Sequence, residues 1–205
     1  LVRHLRGKGH EIHHVDLGGG LGVPYRRDNQ PPPEPTAYAE IVKRHVRDLD
    51  CMVVFEPGRL IAANAGILVS RVIYVKKTEG KTFVILDAAM NDLIRPTLYD
   101  AWHDIAPVRE SAAEERFKVD VVGPVCESGD FLARDRDMPA VETGDLVYVA
   151  SAGAYGAVQS STYNSRPLIA EILVRDDDFA IVRPRQTIDE LIGLDRLPTW
   201  LGGED

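Results

Sequence analysis

Apolar positions change their period twice along this chain. Ile12, Val15 and Leu17 in EIHHVDL form a short, β-branched run that predicts a strand. The loop GGGLGVPYRRDNQPPPEP follows, held extended by Pro31, Pro32 and Pro33. In TAYAEIVKRHVRDL, Ile41, Val42, Val46 and Leu49 recur at helical spacing behind Thr36, which reads as the N-cap. CMVVFEPGR is a continuous apolar run that stops at Pro57-Gly58, the pattern of a strand buried on both faces. Strand, loop, helix and strand make a βαβ unit and predict a parallel pair. The opening LVRHLRGKG reads as the tail of a helix closed by Gly7 and Gly9, so the chain is expected to be a piece of a longer protein.

Past residue 68 the period shortens to two. GILVSRVIYVKKTEGKTFVILDA predicts two strands joined by a turn at Thr78 to Lys81. RFKVDVVGPV, DLVYVAS, LIAEILV and FAIVRP continue in short strand-like pieces, and TIDELIGLD predicts a late helix. Two textures therefore divide the chain: an α/β part over residues 1–68 and a mostly-β part over 69–205.

Composition narrows the classes. An apolar fraction of 44% in 205 residues supports a folded core, and a net charge of −8 with both signs interspersed disfavours nucleic acid or an anionic membrane as partner. No apolar run approaches the roughly 20 residues of a bilayer span. The two cysteines, Cys51 and Cys126, have unlike surroundings, which fits a reducing cytoplasm rather than a disulfide framework. Cys51, heading an apolar strand, is expected in the core.

Several stretches carry candidate chemistry. HEIHH matches the zinc spacing H-E-x-x-H, but that motif needs a helix and this segment reads as a strand, so no metal site is expected. Gly18, Gly19 and Gly20 follow a parallel strand, where bare amides can approach an anion; a tight turn is the plainer account. Glu56, Pro57, Gly58 and Arg59 end the neighbouring strand, and ligands collect at such ends. In NDLIRPTLYDAWH, Arg95 and Tyr99 are four apart and share a face if helical; such a pair could clasp a carboxylate, and more often is a surface ion partner beside a half-buried aromatic. Cys126 in GPVCESGD has Glu127 and Asp130 nearby, which argues against a nucleophile and is compatible with a proton donor. Tyr155, between small residues in SAGAYGAVQSSTYNSRP, offers a phenol on a binding loop or a slack turn.

DLGGGLG, EPGR, DAAMNDLIRPTLYDAWH, GPVCESGD and SAGAYGAVQSSTYNSRP occur in the order of bacterial diaminopimelate decarboxylases, a family of fold-type-III pyridoxal-phosphate enzymes that the whole chain resembles. The resemblance implies the end of an alanine-racemase-like (β/α)8 barrel followed by a C-terminal β domain. It implies decarboxylation of meso-diaminopimelate to L-lysine, with pyridoxal 5'-phosphate as cofactor. Gly18, Gly19, Gly20 and the turn at Pro57-Gly58 would face its phosphate, Glu56 its ring nitrogen, and Tyr155 both cofactor and substrate. Arg59, Arg95 and Tyr99 would hold the unreacting carboxylate end, and Glu127 the distal ammonium. Cys126 would return a proton once carbon dioxide has left, on a loop lent across a homodimer. The family's cofactor-anchoring lysine lies upstream of the matched stretch, so the chain alone is expected to be inactive. The alternatives are a decarboxylase of ornithine, arginine or lysine on the same fold, and a non-catalytic interaction module.

Overall fold

A computed structural model describes residues 1–26, 31–109 and 115–202; part of the proline-rich loop, residues 27–30, lies outside the described residues. Helix α1 (Val2–Arg6) leads through Gly9, at φ 90°, to strand β1 (His14–Asp16). His10 precedes that strand in coil, so the H-E-x-x-H spacing is not helical. Helix α2 (Pro35–Val46) follows, then β2 (Met52–Val54), which pairs parallel with β1 in the register His14–Met52, Val15–Val53, Asp16–Val54. The expected βαβ unit is present.

Three local expectations need correction. The α2 N-cap is Glu34 rather than Thr36, because Pro35 takes the first helical position, where its fixed φ fits and no N–H is needed. The β2 run is not buried on both faces: Met52 is 64% exposed and Val54 37%. Its sheet has two strands, and no third strand extends it among the described residues. Cys51 is not core either. It is half-buried at a polar junction, where Sγ lies 3.2 Å from Nη2 of Arg6, whose guanidinium also donates to the carbonyl oxygens of Leu49, Ile12 and Asp50.

After helix α3 (Gly58–Ala62) and a 3-10 turn at Ala63–Ala65, the chain enters the larger sheet. Strands β3 (Leu68–Lys77) and β4 (Thr82–Leu86) form the expected hairpin. Helix α4 (Arg95–Tyr99) comes next, with Pro96 in its first turn, followed by β5 (Ile105–Pro107), β6 (Arg116–Val122), β7 (Phe131–Pro139) and β8 (Leu146–Val149). The strand order is β5-β8-β3-β4-β6-β7, antiparallel except for the parallel pair β4–β6. Edge strands β5 and β7 approach each other, so the sheet curls towards closure. Leu86, Leu93, Val121, Leu132, Met138, Val147 and Val149 fill its interior, each at 1% exposure or less. Burying a side chain of that size contributes about 1.5–3 kcal/mol.

A separate antiparallel pair, β9 (Glu171–Arg175) and β10 (Asp178–Arg183), precedes helix α5 (Ile188–Ile192). The late helix starts where sequence placed it, under a capping box of Thr187 and Glu190. No helix among the described residues is long and apolar enough to cross a membrane.

Candidate active site

The carboxyl ends of β1 and β2 lie side by side, which brings the glycine loop against EPGR. The Glu56 N–H donates to the Gly18 carbonyl at 2.9 Å. Gly18 and Gly20 take φ of 67° and 88°, a region that disfavours any side chain. Gly19 is required for a different reason: a Cβ there would overlap the Glu56 carbonyl oxygen. Two of the loop's amides are already engaged, Gly18 N–H on Oδ1 of Asp16 at 2.7 Å and Gly58 N–H on the Glu56 carbonyl at 2.8 Å. Those of Gly19 and Gly20 donate to nothing among the described residues. The Glu56 and Arg59 side chains are exposed beside them.

The same βαβ end docks onto the loop after β8. Gly153 N–H donates to Ala63 at 3.0 Å and Ala152 N–H to Gly66 at 2.8 Å, while Ser151 Oγ donates to Oδ1 of Asn64 at 2.7 Å. Val23, Ala63 and Ala154 form a small apolar cluster there, with Tyr25 and Leu60 against it. This seam places the Arg59 guanidinium 5.7 Å from the ring centre of Tyr155. Tyr155 has φ of 64°, a strained setting for an aromatic residue.

Helix α4 supplies the next group. Arg95 is buried, at 7% exposure, and its guanidinium carbon lies 4.7 Å from the ring centre of Tyr25. Nη1 donates to Nε2 of His103 at 2.8 Å. Among the described residues no carboxylate comes within ion-pair distance of Arg95. A buried guanidinium with no acid partner carries a free-energy cost that an anion would relieve. Tyr99, one turn on, is 59% exposed, and its hydroxyl accepts a bond from Nε2 of Gln159 at 3.5 Å. A groove of about 580 Å³ runs along the seam but shares only Tyr25 with these residues, so the charges rather than the groove mark the site.

Cys126 and Glu127 ride an exposed loop between β6 and β7. The Glu127 carboxylate accepts Gly129 N–H at 3.1 Å and the Tyr163 hydroxyl at 3.3 Å. That contact raises the Tyr163 phenol above its usual pKa, chiefly through the negative charge of Glu127. Asp130, the other acid near Cys126 in sequence, is bonded to the backbone. It is buried, and its oxygens accept the N–H groups of Met90 at 2.7 Å and Val125 at 2.6 Å. Thr97 of α4 donates to the Gly129 carbonyl, so the loop is joined both to the helix and, through Asp130, to the turn before it.

Tyr25, His103 and Tyr163 escaped the sequence reading. Tyr25 follows the glycine loop inside a proline-rich stretch with no period, and His103 ends DAWH, four residues past the pair that drew attention. A local signal existed only for Tyr163, which sits in the same polar loop as Tyr155.

The glycine loop and EPGR thus stand at adjacent parallel strand ends, docked on a curled sheet, and Tyr25 links that seam to the buried Arg95 of α4. The chain belongs to the pyridoxal-dependent decarboxylases, matching the family model "Pyridoxal-dependent decarboxylase, C-terminal sheet domain" over residues 20–153. It is 49% identical over 201 residues to the diaminopimelate decarboxylase of Zymomonas mobilis, covering 98% of this chain and 47% of that protein. Against the diaminopimelate decarboxylase of Pseudomonas aeruginosa it is 54% identical, over 93% of this chain and 45% of the relative. The crystal structure of diaminopimelate decarboxylase from Helicobacter pylori complexed with L-lysine superposes with a TM-score of 0.86 at 39% identity, covering 94% of this chain and 47% of that one. The chain thus spans about half the length of the relatives it matches.

Proposed function

We propose that this chain is the C-terminal portion of a diaminopimelate decarboxylase, acting in the full-length protein as a carboxy-lyase that turns meso-2,6-diaminopimelate into L-lysine. On this reading β1, α2 and β2 are the last stretch of a (β/α)8 barrel ending near residue 68, and residues 69–205 form the β domain.

The buried, acid-free guanidinium of Arg95 carries the reading. A substrate with a second amino-acid end brings it a carboxylate. Ornithine, arginine or lysine, whose far end is only a cation, would leave it unpaired. The relative solved with L-lysine fits that chemistry, since lysine retains one carboxylate.

The residues present suit pyridoxal phosphate: the Gly19 and Gly20 amides have no acceptor among the described residues, and the close approach at Gly19 admits no side chain. Gly18 and Gly58 hold the loop in shape, and Glu56, exposed beside it, would face the ring nitrogen. When bound, the cofactor supplies an electron sink for the pair left behind as carbon dioxide departs. Arg95, Arg59 and Tyr99 bind the carboxylate that does not react, and Glu127, oriented by Tyr163, takes the distal ammonium. Tyr155 packs beside Arg59 and walls the site. The Cys126 thiol gives a proton to the carbon that lost its carboxylate. Its loop is exposed yet pinned by Asp130, which suits a segment offered to a neighbour's site in a homodimer. Two free thiols suit a reducing compartment such as the cytoplasm.

The test is Arg95→Met in the full-length enzyme. Loss of a charge-assisted carboxylate contact lowers kcat/KM for meso-diaminopimelate about 100-fold or more, while the folded fraction holds, because the replacement removes an uncompensated charge. Unchanged kcat/KM would sink the assignment.

A further inference from the structure

We propose that His103 is a positioning residue that aims the Arg95 guanidinium and leaves its positive charge unspent for the substrate's carboxylate. This rests on the reading of Arg95 above.

His103 is the most enclosed ionisable group near the site, at 0% exposure. Its two ring nitrogens have fixed roles. Nδ1 lies 2.8 Å from the Ala150 carbonyl oxygen, which can only accept, so Nδ1 carries the proton. Nε2 lies 2.8 Å from Nη1 of Arg95, which can only donate, so Nε2 offers its lone pair. A ring bonded in this way is neutral, because a second ring proton would confront the guanidinium. Ala150 follows β8 and lies next to the Ser151–Gly153 seam. The same seam therefore sets the histidine, and the histidine sets the arginine.

The setting is reinforced from two further directions. The Tyr25 ring meets the imidazole edge-on at 5.2 Å and lies 4.7 Å from the guanidinium carbon, covering both groups. Arg136, from edge strand β7, donates to the His103 carbonyl at 2.6 Å and fixes its backbone. A carboxylate in place of the imidazole would aim Arg95 as well but would neutralise it. A neutral acceptor orients the cation without competing for it, the property needed where the true counter-ion arrives with the substrate.

The test uses full-length enzyme and two competing ligands, L-lysine and cadaverine, which differ by one carboxylate. In His103→Leu the acceptor is gone, and lysine affinity falls about tenfold or more. Cadaverine affinity stays within about twofold, and KM for diaminopimelate rises more than kcat falls. In His103→Gln the side-chain carbonyl replaces Nε2 and restores most of the lysine affinity. In His103→Glu the arginine is held but neutralised, so lysine weakens again with cadaverine unchanged; this variant keeps a partner for Arg95 and carries the test if His103→Leu does not fold. Equal losses for both ligands, or lysine binding unchanged in both Leu and Glu variants, would overturn the proposal. Arg95→Met, run alongside, separates the two readings: if it weakens lysine no more than cadaverine, the carboxylate role of Arg95 is wrong, whatever His103 does.

Discussion

Asp130 accepts the backbone N–H of Met90 at 2.7 Å, across forty residues of sequence, and so ties the loop carrying Cys126 to the turn that precedes α4. Its second oxygen takes Val125 N–H inside the loop. Both donors lose their partner together in Asp130→Ala. Bonds to a charged acceptor are each worth about 1.5–3 kcal/mol, so the expected loss in denaturant unfolding is about 3–6 kcal/mol. Limited proteolysis should then cut within residues 123–130. A variant within about 0.5 kcal/mol of the parent would contradict this role.

Gly153 meets the βαβ end so closely that an added Cβ would overlap the Ala62 carbonyl oxygen. Gly153→Ala should therefore cost about 1–3 kcal/mol by forcing the seam apart. Gly19→Ala should do the same at the glycine loop. Gly80, where a Cβ meets nothing within 4 Å, is the control and should tolerate Ala with a change under about 0.5 kcal/mol. Thermal melts of the three variants decide it.

His103 predicts a pH dependence. Burial lowers its pKa most, the Ala150 bond opposes that, Arg95 and Arg136 lower it further, and Asp104 raises it; the net shift is downward. The unfolded chain thus takes up the proton first, at a pKa of about 6.5. Stability from this group is complete above that pH and is lost as pH falls through the native pKa. Buried Asp92 works in the opposite sense, since burial raises its pKa and its contribution falls as pH rises. Urea midpoints between pH 8 and 5 should show a slope that His103→Gln reduces while Asp92 is unchanged. Identical slopes in both proteins would remove His103 as the cause.

The 205-residue chain mixed with pyridoxal phosphate and meso-diaminopimelate should release no carbon dioxide above the free cofactor. Its six lysines are all exposed: Lys76, Lys77 and Lys81 at the β3–β4 hairpin, Lys118 on β6, Lys43 on α2, and Lys8 past α1. None lies on the glycine loop, EPGR or α4. Sustained turnover would mean that one of them reaches the site.

Much of this architecture was legible because it follows local rules. The βαβ unit, the β3–β4 hairpin and α5 announce themselves through period, turn residues and a capping box. Strand β7 did not. Its sequence, FLARDRDMP, places Arg134, Asp135 and Arg136 in mid-strand, which reads as a solvated turn. In the fold, Asp135 takes φ of 47° at an irregular step, and Arg136 turns inward against Trp102 and the His103 carbonyl. The site divided in the same way. Residues at strand ends were visible from position alone, whereas Tyr25 and His103 matter only because residues far apart in sequence converge on Arg95.

The join between the βαβ end and the sheet is spoken mostly in main chain: amides of Ala152 and Gly153 on carbonyls of Gly66 and Ala63. Peptide groups are the same whatever residue bears them. Those bonds can outlast extensive exchange of the side chains around them, provided Gly66 and Gly153 stay bare. Their trace in the residue alphabet is two missing methyls, and a reader hunting for complementary charges would pass over the place where the two parts of the molecule are fastened.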